Sequence, residues 1–162
     1  DLIEVVINQV VKQAPNNLEI VVEPGKSIIA EAGFLLTRVQ YIKKRNKNIV
    51  VVDAAMNDMM RVALYGAKHE INNISNNEKT SNASIIVGPI CESSDVFEED
   101  SFIKVNEGDI LAIFDVGAYG FSMSSNYNSR LKPSEVLVSD GQAKLIRNRE
   151  SIEMLINNEN IF

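Results

Sequence analysis

Four short clusters hold the residue types from which a small-molecule site could be built. In SIIVGPICESSD (Ser84 to Asp95), Cys91 and Glu92 follow an apolar run and precede two serines. A thiol in such a polar setting can ionise or donate a proton, whereas a lone cysteine more often packs as an inert apolar residue. In MNDMMRVALYGA (Met56 to Ala67), Arg61 and Tyr65 stand four apart and share a face if the segment is helical. They could equally be a surface cation and a packing tyrosine. In EPGKS (Glu23 to Ser27), Gly25 lets the backbone approach a ligand closely, and amides opening a following helix would suit a phosphate. Pro-Gly is also a common turn. The fourth cluster, GAYGFSMSSNYNSR (Gly117 to Arg130), is uncharged until its last residue and rich in Ser, Asn, Gly and Tyr. It reads either as an Asn/Ser-rich turn or as a wall of hydroxyls and amides with Tyr119 presented on it.

These clusters need elements to hold them. Leu2, Ile3, Val6, Val10 and Val11 recur at helical spacing, predicting a helix over Asp1 to Lys12 that ends near Ala14-Pro15. Asn16-Asn17 reads as a turn, and Leu18 to Val22 as a strand buried on both faces, as in a parallel sheet. EPGKS would then sit at a strand's carboxyl end, where α/β folds bind ligands, followed by a helix from about Ser27 to Leu35. After Leu36 the texture changes. Strands are expected at Thr37 to Ile42, Ile49 to Asp53, from Ser84, and at Ile110 to Tyr119, with a hairpin pairing Glu135–Ser139 to Gln142–Arg147 about Asp140-Gly141. Short strands between polar turns mark an antiparallel β domain. Asn72 to Asn82 reads as a mobile loop, and Ser151 to Asn157 as a short amphipathic helix. The expected division is residues 1–36, the end of an α/β barrel, and 37–162, a β domain.

Composition narrows the function. With 162 residues, 45% apolar content and a net charge of −6, the chain can bury one core and is unsuited to nucleic acid or an anionic membrane as main partner. A single cysteine rules out an internal disulfide and fits a reducing, cytoplasmic setting. His69 is the only histidine, so no multi-histidine metal site can form within one chain, and it is expected at the surface. No window approaches a membrane span. Beginning at Asp1, directly in a helical pattern, the chain is expected to be a piece of something longer.

EPGKS, VDAAMNDMMRVALYGA, VGPICESSD, GDILAIFDVGAYGFSMSSNYNSR and PSEVLVSDGQAKLIRNRES, in this order, resemble the C-terminal part of diaminopimelate decarboxylase, a family of fold-type III pyridoxal-phosphate enzymes. The resemblance covers essentially the whole chain. It implies a mainly β (α+β) chain, in which a Greek-key-like β-barrel or sandwich follows the last helix and strand of a (β/α)8 barrel. It also implies a homodimer with shared active sites, pyridoxal 5'-phosphate as cofactor, and conversion of meso-2,6-diaminopimelate to L-lysine and CO2. The lysine that forms the Schiff base lies earlier in that family and has no counterpart here, so the N-terminal barrel portion is expected to be missing and the fragment alone inactive.

The same resemblance implies roles residue by residue. Glu23 pairs with the pyridinium nitrogen, keeping the ring an electron sink. Pro24, Gly25 and Lys26 form part of the phosphate site, and Lys26 stands where the family has a substrate-binding arginine. Lysine keeps the charge but loses the planar fork. Arg61 and Tyr65 hold the substrate, Glu92 receives its distal ammonium, and Tyr119 contacts cofactor and substrate. Cys91 reprotonates the α-carbon across the dimer interface. A thiol must stay protonated for that work, which the adjacent Glu92 carboxylate favours. No role is implied for Arg130. Lys26 keeps open a related decarboxylase acting on arginine or a carboxylated polyamine. The absent Schiff-base lysine keeps open a non-catalytic dimerisation module.

Overall fold

A computed structural model describes residues 2–15 and 17–160. Helix α1 spans Leu2–Gln13 and stops as the chain reaches Pro15. Asp1, where this helix was expected to start, and Asn16 of the expected turn lie outside the described residues. The segment Leu18 to Val22 forms no strand, contrary to its sequence pattern. A strand exists only through ladder partners. This one finds none among the described residues, and Leu18, Val21 and Val22 are 59%, 74% and 48% exposed. The helix expected through Leu35 is also shorter. Helix α2 covers Lys26–Ile29, a single 3-10 turn follows at Ala30–Ala32, and the chain is extended again at Gly33.

Six strands then build one sheet. They are β1 (Leu35–Lys43), β2 (Asn48–Val52), β3 (Ile71–Asn73), β4 (Lys79–Val87), β5 (Val96–Ile103) and β6 (Ile110–Ile113), in the spatial order β3-β6-β1-β2-β4-β5. The sheet curls into a nearly closed barrel, the mainly β architecture expected from the sequence. Inward-facing Val39, Val50, Val52, Ile86, Phe97, Leu111 and Ile113 pack together with Met59 from the β2–α3 connection, where helix α3 is Met60–Tyr65. Fully burying each such side chain is worth roughly 1.5–3 kcal/mol.

The sheet is not wholly antiparallel. β2 and β4 run parallel, with Asn48 opposite Ser84 and Val51 opposite Val87. Parallel neighbours need a long crossover, and here it carries α3 and β3. The stretch read as a mobile loop, Asn72 to Asn82, instead enters β3 and β4. Asn73 is buried, and its Nδ2 donates to the Lys104 carbonyl at 2.9 Å and to Asp109 Oδ2 at 2.7 Å. Those side-chain bonds satisfy a polar residue inside a core. β5 was missed altogether. His69 is half-buried instead of surface-exposed, its Nδ1 lying 2.8 Å from the Phe114 carbonyl.

β6 ends at Ile113, six residues short of the expected Tyr119, because Asp115 (φ 59°) and Tyr119 (φ 62°) take left-handed backbone that no strand admits. Beyond it, β7 (Glu135–Ser139) and β8 (Gln142–Arg147) form the expected hairpin, turned by Asp140 and Gly141 with φ of 51° and 73°. Helix α4 spans Ile152–Ile156. Val136, Leu137, Val138, Leu145 and Ile146 of the hairpin are all exposed. Among the described residues, no helix is long and apolar enough to cross a membrane.

Candidate active site

The four clusters converge into two neighbouring groups. The first is built on glycine. Ile29 to Gly33 lies against Val116-Gly117, with the Gly117 amide donating to the Ala30 carbonyl at 2.9 Å and the Val116 amide to the Gly33 carbonyl at 3.1 Å. A Cβ on Gly33 would overlap the Gly117 backbone, and one on Gly117 the Ile29 carbonyl, so only glycine permits this approach. The contact sets Tyr119 beside EPGKS. A Cβ built on Gly25 would sit 3.7 Å from the Tyr119 hydroxyl oxygen.

Arg61 completes this group. Its guanidinium carbon lies 5.5 Å from the Tyr65 ring centre and 5.4 Å from that of Tyr119, so two aromatic faces hold one cation. Arg61 Nε is buried with no hydrogen-bond partner among the described residues. The guanidinium of an arginine clamped in this way suits a carboxylate or phosphate oxygen. Glu23, Pro24, Gly25 and Lys26 are exposed, and the short α2 offers little helix dipole for an anion. What this turn offers a ligand is close backbone approach at Gly25.

Polar side chains build the second group. Cys91 and Glu92 occupy an exposed loop, and the Tyr127 hydroxyl donates to Glu92 Oε1. This carboxylate holds the phenol proton, pushing the Tyr127 ionisation up from its ordinary value. Asp95, buried, shapes the loop from within. Its Oδ2 accepts the Ile90 amide at 2.7 Å and its Oδ1 the Met56 amide at 2.7 Å, tying the Cys91 loop to the residues that enter α3. Burial pushes the Asp95 carboxyl up despite those two amides.

Asn57, fully buried, is the second tie. Its Nδ2 donates to the Ser125 carbonyl at 3.2 Å, and its backbone carbonyl accepts the Ser125 amide at 3.0 Å. Arg130, left without a role by the sequence, clamps the same turn: Nε donates to Asn57 Oδ1 at 3.1 Å and Nη2 to the Asp53 carbonyl at 2.6 Å. Residues 53–58 are thus a hub joining α3, the Cys91 loop and the Gly117–Arg130 segment. Sequence reasoning named Glu23, Gly25, Arg61, Tyr65, Cys91, Glu92 and Tyr119, and missed Asn57, Asp95 and Tyr127. Only the Asn57-Asp58 pair within MNDMM hinted at a polar turn. Among the described residues, no cluster of His, Cys, Asp and Glu could hold a metal ion.

Comparison with known proteins decides the family. Residues 6–117 match the model of the C-terminal sheet domain of pyridoxal-dependent decarboxylases. The chain belongs to this family. Curated relatives of this decarboxylase domain include diaminopimelate decarboxylases of Neisseria meningitidis serogroup B, 48% identical over 88% of the chain, and of Methanocaldococcus jannaschii, 48% identical over 96%. The chain spans 34% and 36% of their lengths, about a third. Among solved structures, diaminopimelate decarboxylase from Helicobacter pylori complexed with L-lysine superposes with a TM-score of 0.82 at 46% identity, covering 94% of this chain and 38% of its own. A lysine/ornithine decarboxylase from Vibrio vulnificus complexed with cadaverine shares the fold at 24% identity and a TM-score of 0.64, over 76% of this chain and 34% of its own.

Proposed function

We propose that this chain is the C-terminal part of a diaminopimelate decarboxylase, acting on meso-2,6-diaminopimelate to form L-lysine and CO2, the last step of lysine biosynthesis. The observation that carries this reading is the 48% identity to diaminopimelate decarboxylases over 88% to 96% of the chain. The activity belongs to the whole protein, a cytoplasmic homodimer whose upstream residues supply the lysine that anchors the cofactor.

The residues present fit pyridoxal 5'-phosphate: a glycine turn with a tyrosine hydroxyl against it, and a carboxylate beside that turn. Glu23 would hold the ring nitrogen protonated, and the Pro24–Lys26 backbone with Tyr119 would hold the phosphate side. Bound there, the cofactor supplies an electron sink for the pair left on the α-carbon when CO2 departs. This chain's residues do the rest. Arg61, stiffened between Tyr65 and Tyr119, grips a substrate carboxylate. Lys26 adds charge at the same end without the bidentate fork of arginine. Glu92 receives the distal ammonium. Cys91 holds a proton on Sγ and delivers it to the α-carbon.

The test is to express the complete protein and measure lysine and CO2 formation from meso-diaminopimelate with pyridoxal phosphate; no turnover would sink the proposal. In that protein Cys91→Ala should lose kcat by about a hundredfold or more, the usual worth of a positioned acid. A variant at full rate would mean that another group delivers the proton.

A further inference from the structure

The turn Asn126 to Arg130 is held more firmly than its position at the surface demands. Asn128 (φ 59°) and Ser129 (φ 55°) are consecutive non-glycine residues in left-handed backbone, a conformation that persists only where the surroundings impose it. Two clamps impose it here. Arg130 reaches the Asp53 carbonyl and Asn57 on one side. On the other, Asn126 Nδ2 donates to Glu150 Oε2 at 2.5 Å and to the Arg130 carbonyl at 3.0 Å. Glu150 in turn accepts the Lys132 amide at 2.9 Å. The side chain this braced turn presents is Tyr127, and its hydroxyl meets the Glu92 carboxylate.

We propose that Tyr127 is a specificity-determining positioning residue, holding Glu92 in one orientation so that the carboxylate oxygen left free, Oε2, receives the distal ammonium of the substrate. The inference rests on the decarboxylase reading above and deepens it. Tyr127 is 44% exposed and Glu92 lies on an open loop. Between two such residues, a hydrogen bond unsupported by other contacts would do little. What distinguishes this one is that the backbone strain, the Arg130 clamp and the Asn126–Glu150 clamp converge on the placement of a single phenol. A tyrosine serving only to cover the surface would need none of the three. Glu92 unrestrained would have to lose its rotamer freedom each time substrate binds. With Oε1 already occupied by Tyr127, that ordering is present before binding.

The test uses the complete protein loaded with pyridoxal phosphate. Tyr127→Phe should raise KM for meso-diaminopimelate about three- to tenfold, the cost of ordering one side chain, while kcat stays within about twofold. Calorimetric titration with L-lysine, which needs no turnover, should show the same weakening. In a Glu92→Gln background the further change from Tyr127→Phe should largely vanish, since the two residues act through one contact. The inference is overturned if Tyr127→Phe leaves both KM and lysine affinity at wild-type values. It is equally overturned if kcat falls at constant KM, or if the loss persists undiminished beside Glu92→Gln. A wild-type protein that neither turns over meso-diaminopimelate nor binds L-lysine would sink the decarboxylase reading and this inference with it. A wild-type protein that does both, beside an unaffected Tyr127→Phe, would sink the inference alone.

Discussion

The two halves of the site are held by opposite means. Around Arg61 the framework is backbone against backbone, Gly33 on Gly117, with two aromatic rings gripping a cation. Around Cys91 it is side chains that hold backbone: Asp95 on the Met56 and Ile90 amides, Asn57 on Ser125, Arg130 on Asp53. The first framework tolerates no added atom. The second accepts a substitute of the same shape and hydrogen bonding, and carries a buried carboxyl whose charge depends on pH. Steric closeness and polar satisfaction are thus separable here by the substitutions each one tolerates.

The largest effect is expected from Gly117→Ala. Its Cβ would meet the Ile29 carbonyl, and a backbone atom cannot swing aside as a side-chain tip can, so unfolding free energy should drop by about 3 kcal/mol, measured by denaturant titration. A loss below 1 kcal/mol would show that the glycine contact yields. Next comes Asp95→Ala, which strands two amides and should cost about 2 kcal/mol, the penalty of unpaired donors less the relief of burying no charge.

Asp95→Asn removes the charge and keeps the shape, but loses one of the two accepted amides because Nδ2 cannot accept. Charge is therefore read from the pH dependence and not from the size of the loss. The folded Asp95 carboxyl titrates above its ordinary 3.8 because burial disfavours the ion. The folded state therefore binds this proton more tightly than the unfolded chain. That contribution is complete below about 3.8 and is lost as pH rises through the folded value. The asparagine variant lacks it, so its stability relative to wild type should improve with rising pH over the window that begins near 3.8. A difference that stays flat with pH would mean that the carboxyl is as well solvated as in the unfolded chain. The smallest effect is expected from Arg130→Lys, which retains one of two hydrogen bonds and should cost about 1 kcal/mol in thermal or denaturant unfolding. A loss equal to that of Arg130→Ala would mean that the clamp works only as a pair.

Sequence alone revealed the parts of this molecule that depend on local rules. The β7–β8 hairpin was legible because Asp140-Gly141 is a turn signal between apolar runs, and β2 because IVVV has few other uses. β5 hid behind Glu98, Glu99 and Asp100, which interrupt an alternation that still buries Phe97, Ser101 and Ile103. β3 hid because Asn73 looks like a loop residue until Lys104 and Asp109 come to meet it. Leu18 to Val22 failed in the other direction: a strand's composition does not supply a strand's neighbours. In the site, residues with distinctive chemistry were named, whereas Asn57, Asp95 and Tyr127 act through partners distant in the chain, and their types are those of any turn. Arg130 was seen and had no role until Asn57 stood beside it.

The strand order carries a consequence for synthesis. β1 lies between β2, made almost at once, and β6, whose pairing joins Leu35 to Ile113 and Thr37 to Leu111. On a ribosome, one edge of β1 therefore stays open until β6 has emerged, while β2 waits for β4. Contacts so distant along the chain form slowly. Gly117, Tyr119, Tyr127 and Arg130 all follow β6 in the chain, so these partners of Gly33, Asn57 and Glu92 arrive only after the last strand able to close the sheet. A nascent chain stalled before them exposes an unfinished sheet edge, the kind of surface that invites aggregation. The order of translation makes the completion of the sheet a precondition for the completion of the site.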